Sequence, residues 1–182
     1  MTRPTRPTDP ASYRSSFQSF GELSRFLREA VTDDESYQLR EGMRAVALQL
    51  EAAVAGSSLQ HADRAVMGAR LAALQTLLRE HFLLVKGLSP AWRKLYEYTA
   101  YLAALQHFLS RIDVWLRDLS EPNGPRLWFG DFELLSWRTL GEGVMLLDTY
   151  EQWGVQDPES VPAEQGENAL WQPAKWWRRL LK

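Results

Sequence analysis

The chain has 182 residues, 45% hydrophobic and 24% charged, with eight Trp, no Cys and a formal net charge of −2. So apolar and aromatic a composition excludes a disordered polymer, and the length fits one domain with a full core. The lack of Cys excludes disulfide scaffolds, thiolate zinc sites and thiol catalysis, and near-neutrality excludes a globally basic nucleic-acid coat.

Residues 1–18 carry three Pro and three Arg and no apolar core, so they read as a flexible arm rather than a secretory leader. A basic arm touching a phosphate backbone is the sharper alternative. Over residues 20–31, Phe20, Leu23, Phe26, Leu27 and Ala30 share one helical face. Thr32, Asp33 and Asp34 make a turn, and either Asp can cap the next helix.

That second helix is expected over residues 35–55, with Leu39, Met43, Val46, Ala47, Leu50, Ala53 and Val54 facing inward. Gly56 ends it, and Ser57 or Ser58 can start the next. The third helix should run over residues 59–85 on Leu59, Val66, Met67, Leu71, Leu74, Leu78 and Phe82. Lys86 and Gly87 suit its C-terminus as a cation and a left-handed glycine cap. Ser89 and Pro90 then offer an N-cap and an N1 proline for a fourth helix over residues 90–119. Leu95, Leu102, Leu105, Leu109, Ile112, Leu116 and Leu119 form its near-heptad stripe. Four amphipathic helices with short connections predict an all-α, antiparallel four-helix bundle over residues 19–120.

Glu121-Pro122-Asn123-Gly124-Pro125 is the sharpest break in the chain. Beyond it lies a Trp-rich, partly helical extension over residues 121–182. Residues 126–153 are expected to pack back on the bundle, with a helix over 132–153 that Gly141 and Gly143 weaken. Phe129, Phe132, Leu135, Trp137 and Trp153 are its candidate packing residues. Residues 154–168 read as an acidic linker. Residues 169–182 form an amphipathic tail in which Trp171, Trp176, Trp177, Arg178, Arg179 and Leu180 suit partner or subunit docking. Self-packing and contact with a membrane surface are the alternatives for this tail.

No run is long and apolar enough for a membrane span, so a soluble, cytoplasmic protein is expected. The catalytic patterns fail in turn. A carboxylate-bridged di-iron bundle needs Glu three residues before His. Before His61, His81 and His107 those positions hold Ser58, Leu78 and Ala104. Positions 54–56, 74–76 and 100–102 hold no Arg, so the Arg-before-His pattern of helical ribonucleases fails as well. His81 and His107 then read as packed or helix-surface imidazoles. No phosphate loop, dinucleotide fingerprint, zinc-protease or nucleophile-elbow motif occurs. A noncatalytic protein without metal or cofactor is expected.

Charge is distributed unevenly. Residues 17–120 carry 12 basic and 12 acidic side chains, whereas residues 121–182 carry 6 and 10. Asp113 and Arg117 are spaced to pair along one helix. Arg40, Arg44, Arg64 and Arg70 are the candidate nucleic-acid contacts, on the second and third helices.

An Arg-bearing helix ends in Ala55-Gly56-Ser57-Ser58. A helix with small residues near its start and a Leu-rich end follows. A Gly/Ser/Pro loop then leads to a helix ending in an Ile112-x-x-Trp115 step. This order over residues 17–120 resembles the four-helix-bundle family of 23S rRNA intervening-sequence proteins. That family includes the accessory variability determinant (Avd) proteins of diversity-generating retroelements. The resemblance implies a homo-oligomer, a pentamer in the Avd proteins. It also implies a reverse transcriptase and its template RNA as partners, with the bundle a noncatalytic accessory to mutagenic cDNA synthesis. A protein–protein adaptor with the Trp-rich tail as docking peptide is the alternative function.

Overall fold

The computed structural model describes residues 17–28, 33–54, 64–121 and 129–153. Among these, all regular structure is helical: α1 (Phe20–Phe26), α2 (Asp34–Val54), α3 (Arg64–Lys86), α4 (Pro90–Arg93), α5 (Tyr96–Ser120) and α6 (Phe129–Trp153). The long helices α2, α3, α5 and α6 close a ring of contacts, α2 to α3 to α5 to α6 and back to α2. Helix α1 lies on α2, and α4 abuts α5.

Local chemistry sets the helix starts. The Ser19 hydroxyl accepts the Glu22 N–H at 3.1 Å, and the Glu22 carboxylate accepts the Gln18 N–H at 2.6 Å. This is reciprocal capping of α1. Asp33 caps α2 by accepting the Ser36 N–H at 2.9 Å. Pro90 opens α4 behind Ser89, but the Ser89 side chain makes no cap bond. Its hydroxyl instead donates to Glu35 at 2.7 Å.

Several features differ from the sequence reading. First, the expected helix over residues 90–119 is two helices. Leu95 is extended (φ −78°, ψ 137°) and separates α4 from α5. The break lets buried Trp92 stack on Tyr150 of α6, with ring centroids 3.4 Å apart and an 8° interplanar angle. Second, Gly87 is not a left-handed cap, since no described residue has positive φ. Its N–H instead donates to the carbonyls of Leu83 and Leu84 at 3.0 and 3.1 Å. Third, the most buried stripe of α5 is Tyr98, Tyr101, Leu105, Phe108, Ile112 and Trp115. Leu102, Leu109, Leu116 and Leu119 are only partly buried beside it. Fourth, Asp113 faces α3 instead of Arg117, with Arg79 Nη2 at 3.7 Å and Gln75 also donating to it.

The break at residue 121 does not separate two cores. Phe132, Trp137, Leu140, Val144, Leu146, Leu147 and Tyr150 of α6 share one buried cluster with α1, α2, α3 and α5. Trp137 stacks on Phe20 at 4.1 Å, and Trp115 meets Phe132 edge-on at 5.6 Å. Residues 1–16, the end of the expected first helix at 29–31, the expected Gly56–Ser58 connection with the start of the third helix, the break at 122–125, and the expected linker and tail after 153 lie outside the described residues. Phe17, placed in the arm by sequence, is buried and contacts Phe26.

Gly143 did not stop α6; it admits the neighbouring helices. A Cβ there would lie 2.7 Å from both Met43 Cε and Tyr101 Cζ, closer than packed atoms tolerate. Gly143→Ala should therefore cost about 1–3 kcal/mol by overpacking. Gly68 in α3 has nothing within 4 Å of its added Cβ. Gly68→Ala should instead gain about 0.5–1 kcal/mol through helix propensity. Urea denaturation of the two variants beside the parent measures both signs.

Candidate functional site

The most concentrated polar chemistry sits where the start of α2 meets the α3–α4 turn and the end of α6. Glu35 accepts from the Ser89 N–H at 3.0 Å, from the Ser89 hydroxyl and from Trp92 Nε1 at 3.1 Å. One carboxylate thus satisfies three donors and fixes the turn into α4. Next to it, Arg40 donates to Glu151 from Nε at 2.9 Å and Nη2 at 2.5 Å. Ser36 donates a longer bond to the same oxygen at 3.4 Å. Arg40 is only 5% exposed, and its guanidinium lies 5.7 Å from the Phe26 ring centre. Burial, then the Glu151 charge, push the Asp148 carboxyl up to about 7 against a bond from Gln152. Burial first, then the Asp33 and Glu35 carboxylates, raise the Tyr150 hydroxyl.

A second polar pair lies deep in the core. His81 Nε2 and the Tyr101 hydroxyl share a 2.7 Å hydrogen bond. Both residues are buried, and His81 Nδ1 has no partner among the described residues. Burial pushes the imidazole down to about 4 and raises the phenol. The imidazole is therefore neutral at physiological pH. Gly42 of α2 faces it, since a Cβ there would sit 2.2 Å from His81 Nδ1. The pair is enclosed where α2, α3, α5 and α6 pack most closely.

The third feature is a surface cleft between α5 and the first half of α6, about 200 Å³ in volume. His107 and Arg111 line it from α5, and Asp131, Leu134, Leu135 and Arg138 from α6, over Trp115. The Arg111 guanidinium lies 5.5 Å from the Trp115 ring centre. Leu134 is 51% exposed beside the charged rim.

The four arginines singled out by sequence do not form one patch. Arg40 is buried and spent on Glu151, so it is not a surface cation. Arg44 pairs with Glu41 at 3.2 Å on its own helix. Arg64 donates to the backbone carbonyl of Glu121 at 2.5 Å. Arg70 is partly exposed on α3. The Gly42–His81 contact sets Arg40 and Arg44 level with the far half of α3. At about 1.5 Å per residue, they lie roughly 15–30 Å along the axis from Arg64 and Arg70. Trp171, Trp176, Trp177, Arg178, Arg179 and Leu180 lie outside the described residues.

Sequence reasoning left Arg111, Asp131 and Arg138 unmarked. Positions 107, 111 and 115 follow one helical face, as do 131, 134, 135 and 138 on the next helix. That periodicity was the available signal, obscured by the Gly-interrupted reading of residues 126–153. Among the described residues, no group of His, Asp or Glu is placed to hold a metal, and no helix is long and apolar enough to cross a membrane. Comparison with known protein families, curated proteins and solved structures finds no match.

The pKa shifts predict two opposed pH effects on stability. The Asp148 carboxyl titrates near 7 in the fold and near 3.8 as an ordinary carboxyl. Between those values the folded state holds the extra proton, so this group's contribution to stability falls as pH rises. His81 titrates near 4 in the fold against an ordinary 6.5. Between those values the unfolded state holds the extra proton, so its contribution falls as pH drops. Asp148→Asn should therefore gain stability relative to the parent as pH rises from about 4 to about 8, on this linkage. Urea titrations of both proteins across that range read the difference; a flat or opposite trend would refute the buried-carboxyl account.

Proposed function

We propose that this chain is a noncatalytic helical-bundle subunit of the Avd type. In this reading it is a cytoplasmic, antiparallel four-helix protomer built on α2, α3, α5 and α6. It assembles into a homo-oligomer, a pentamer by the resemblance. It holds a reverse transcriptase and its template RNA during mutagenic cDNA synthesis. The antiparallel reading rests on the order of the contacts. Residues near the start of one helix meet residues near the end of its neighbour: Glu35 with Ser89, Gly42 with His81, Arg64 with Glu121, Tyr101 with His81, and Ser36 with Glu151.

The observation that carries the noncatalytic reading is how Arg40, Glu35 and His81 are engaged. Arg40 holds Glu151, Glu35 holds Ser89 and Trp92, and His81 holds Tyr101. Each pair ties two helical elements together, the role of packing groups rather than of a general acid or base. The partners come from the resemblance over residues 17–120. The adaptor reading draws on another feature, the crowding of Trp171, Trp176 and Trp177 among Lys175, Arg178 and Arg179.

Affinity purification of the full chain from its native host, with light scattering of the pure protein, separates these readings. The Avd-type subunit should elute as an oligomer and bring down a reverse transcriptase with RNA. A monomer without either would overturn it. A protein partner lost when residues 169–182 are deleted, with no RNA present, would favour the adaptor.

A further inference from the structure

We propose that the cleft between α5 and α6 binds one nucleotide unit of a single-stranded nucleic acid. The phosphodiester would lie on Arg111 and Arg138, and the base against Leu134 and Leu135. This rests on the RNA-bound reading above and gives it a contact surface other than the four arginines of α2 and α3.

Four observations lead here. Arg111 and Arg138 face one concave space from two different helices, with His107 on the same rim. Among the described residues neither arginine is ion-paired, whereas Arg40, Arg44 and Arg79 are. Arg111 also lies over buried Trp115, its guanidinium carbon 5.5 Å from the ring centre, a cation–π contact that favours one placement of the side chain. Finally, exposed Leu134 gives the rim an apolar surface that a simple anion would not use.

The charge favours a phosphodiester. Two guanidiniums against the Asp131 carboxylate leave a net +1, matching the single negative charge of one backbone phosphate. Guanidinium forks suit phosphate oxygens, and Asp131 can accept from a sugar hydroxyl or a base amino group. The volume of about 200 Å³ is below the roughly 300–1,000 Å³ of a drug-sized pocket. It therefore has room for one unit of a ligand, not for a whole drug-sized molecule. A cationic groove plus a surface for unstacked bases is the general form of single-strand recognition. A duplex would keep its bases stacked and leave Leu134 unused.

The test is fluorescence anisotropy of a short labelled single-stranded RNA with the full chain. Arg111→Gln and Arg138→Gln are compared with Arg117→Gln, an exposed arginine of α5 outside the cleft. Each cleft variant should weaken binding about tenfold. Each should also lower the slope of log affinity against log salt by about 0.7, the share of one phosphate contact on a single strand. Arg117→Gln should leave both unchanged. Arg138 is exposed, so Arg138→Gln keeps the test valid even if Arg111→Gln disturbs the packing on Trp115; circular dichroism reports that. Binding by the parent with no loss in Arg138→Gln overturns the site and leaves the subunit reading standing. No binding by the parent overturns both the site and the RNA part of that reading. Tighter binding of duplex RNA, or preferential binding of a polyglutamate peptide, overturns the proposal in favour of shape or protein recognition.

Discussion

The meeting of four helices around His81 and Tyr101 is the constraint on which the rest of the structure depends. Gly42 on α2 and Gly143 on α6 leave the space that the imidazole and phenol fill, from α3 and α5. Met43 Cε closes the same contact from α2. Taking a polar imidazole and a phenol out of water carries a desolvation cost. The return is specificity of register. A one-turn slip of α3 would set Leu78 or Val85 in place of His81 and strand the Tyr101 hydroxyl in the core. A purely apolar centre would tolerate that slip; a buried polar pair penalises it.

The two polar clusters at the α2–α6 end extend the same logic to the surface. Glu35 gathers three donors around the α3–α4 turn, and Arg40 with Glu151 ties α2 to the last turn of α6. Between them Trp92 lies flat on Tyr150. Helix α4 is only four residues long and could not hold its place by its own hydrogen bonds. It is held because Trp92 is both stacked and hydrogen-bonded. The extended Leu95 then redirects the chain into α5. The interruption follows from the anchoring of Trp92 by α2 and α6, which no local propensity encodes.

This explains what was legible in the sequence. The extent of α2 and the core of α3 follow from apolar periodicity, and their buried residues are mostly the ones that periodicity names. The stripe of α5 was harder to read because the helix touches α3, α4 and α6 and carries a wide apolar face. The leucines form the more regular repeat, yet the larger aromatic rings reach the centre and the leucines flank them. Arg40 reads as a surface cation because its partner, Glu151, is over a hundred residues away. Gly143 reads as a weak point of its helix because close approach is visible only once α2 and α5 are in place. The cleft was illegible for the same reason. Its two rims lie on helices separated by the Pro-Gly break, and neither rim alone amounts to a site.

The uneven arginines of this chain then acquire a physical meaning. A neutral count over residues 17–120 suggested little affinity for polyanions, but a count does not distinguish engaged charges from available ones. Arg40 and Arg44 are held by carboxylates, and Arg79 lies beside Asp113. Arg111 lies over Trp115 with no carboxylate partner among the described residues, while Arg138 stands exposed across the cleft. The same holds for tryptophan. Trp92, Trp115 and Trp137 are buried in the core, so their abundance in the composition is partly a packing fact. Trp115 is the exception in its consequences: it is buried, yet it forms the floor beneath Arg111 at the cleft.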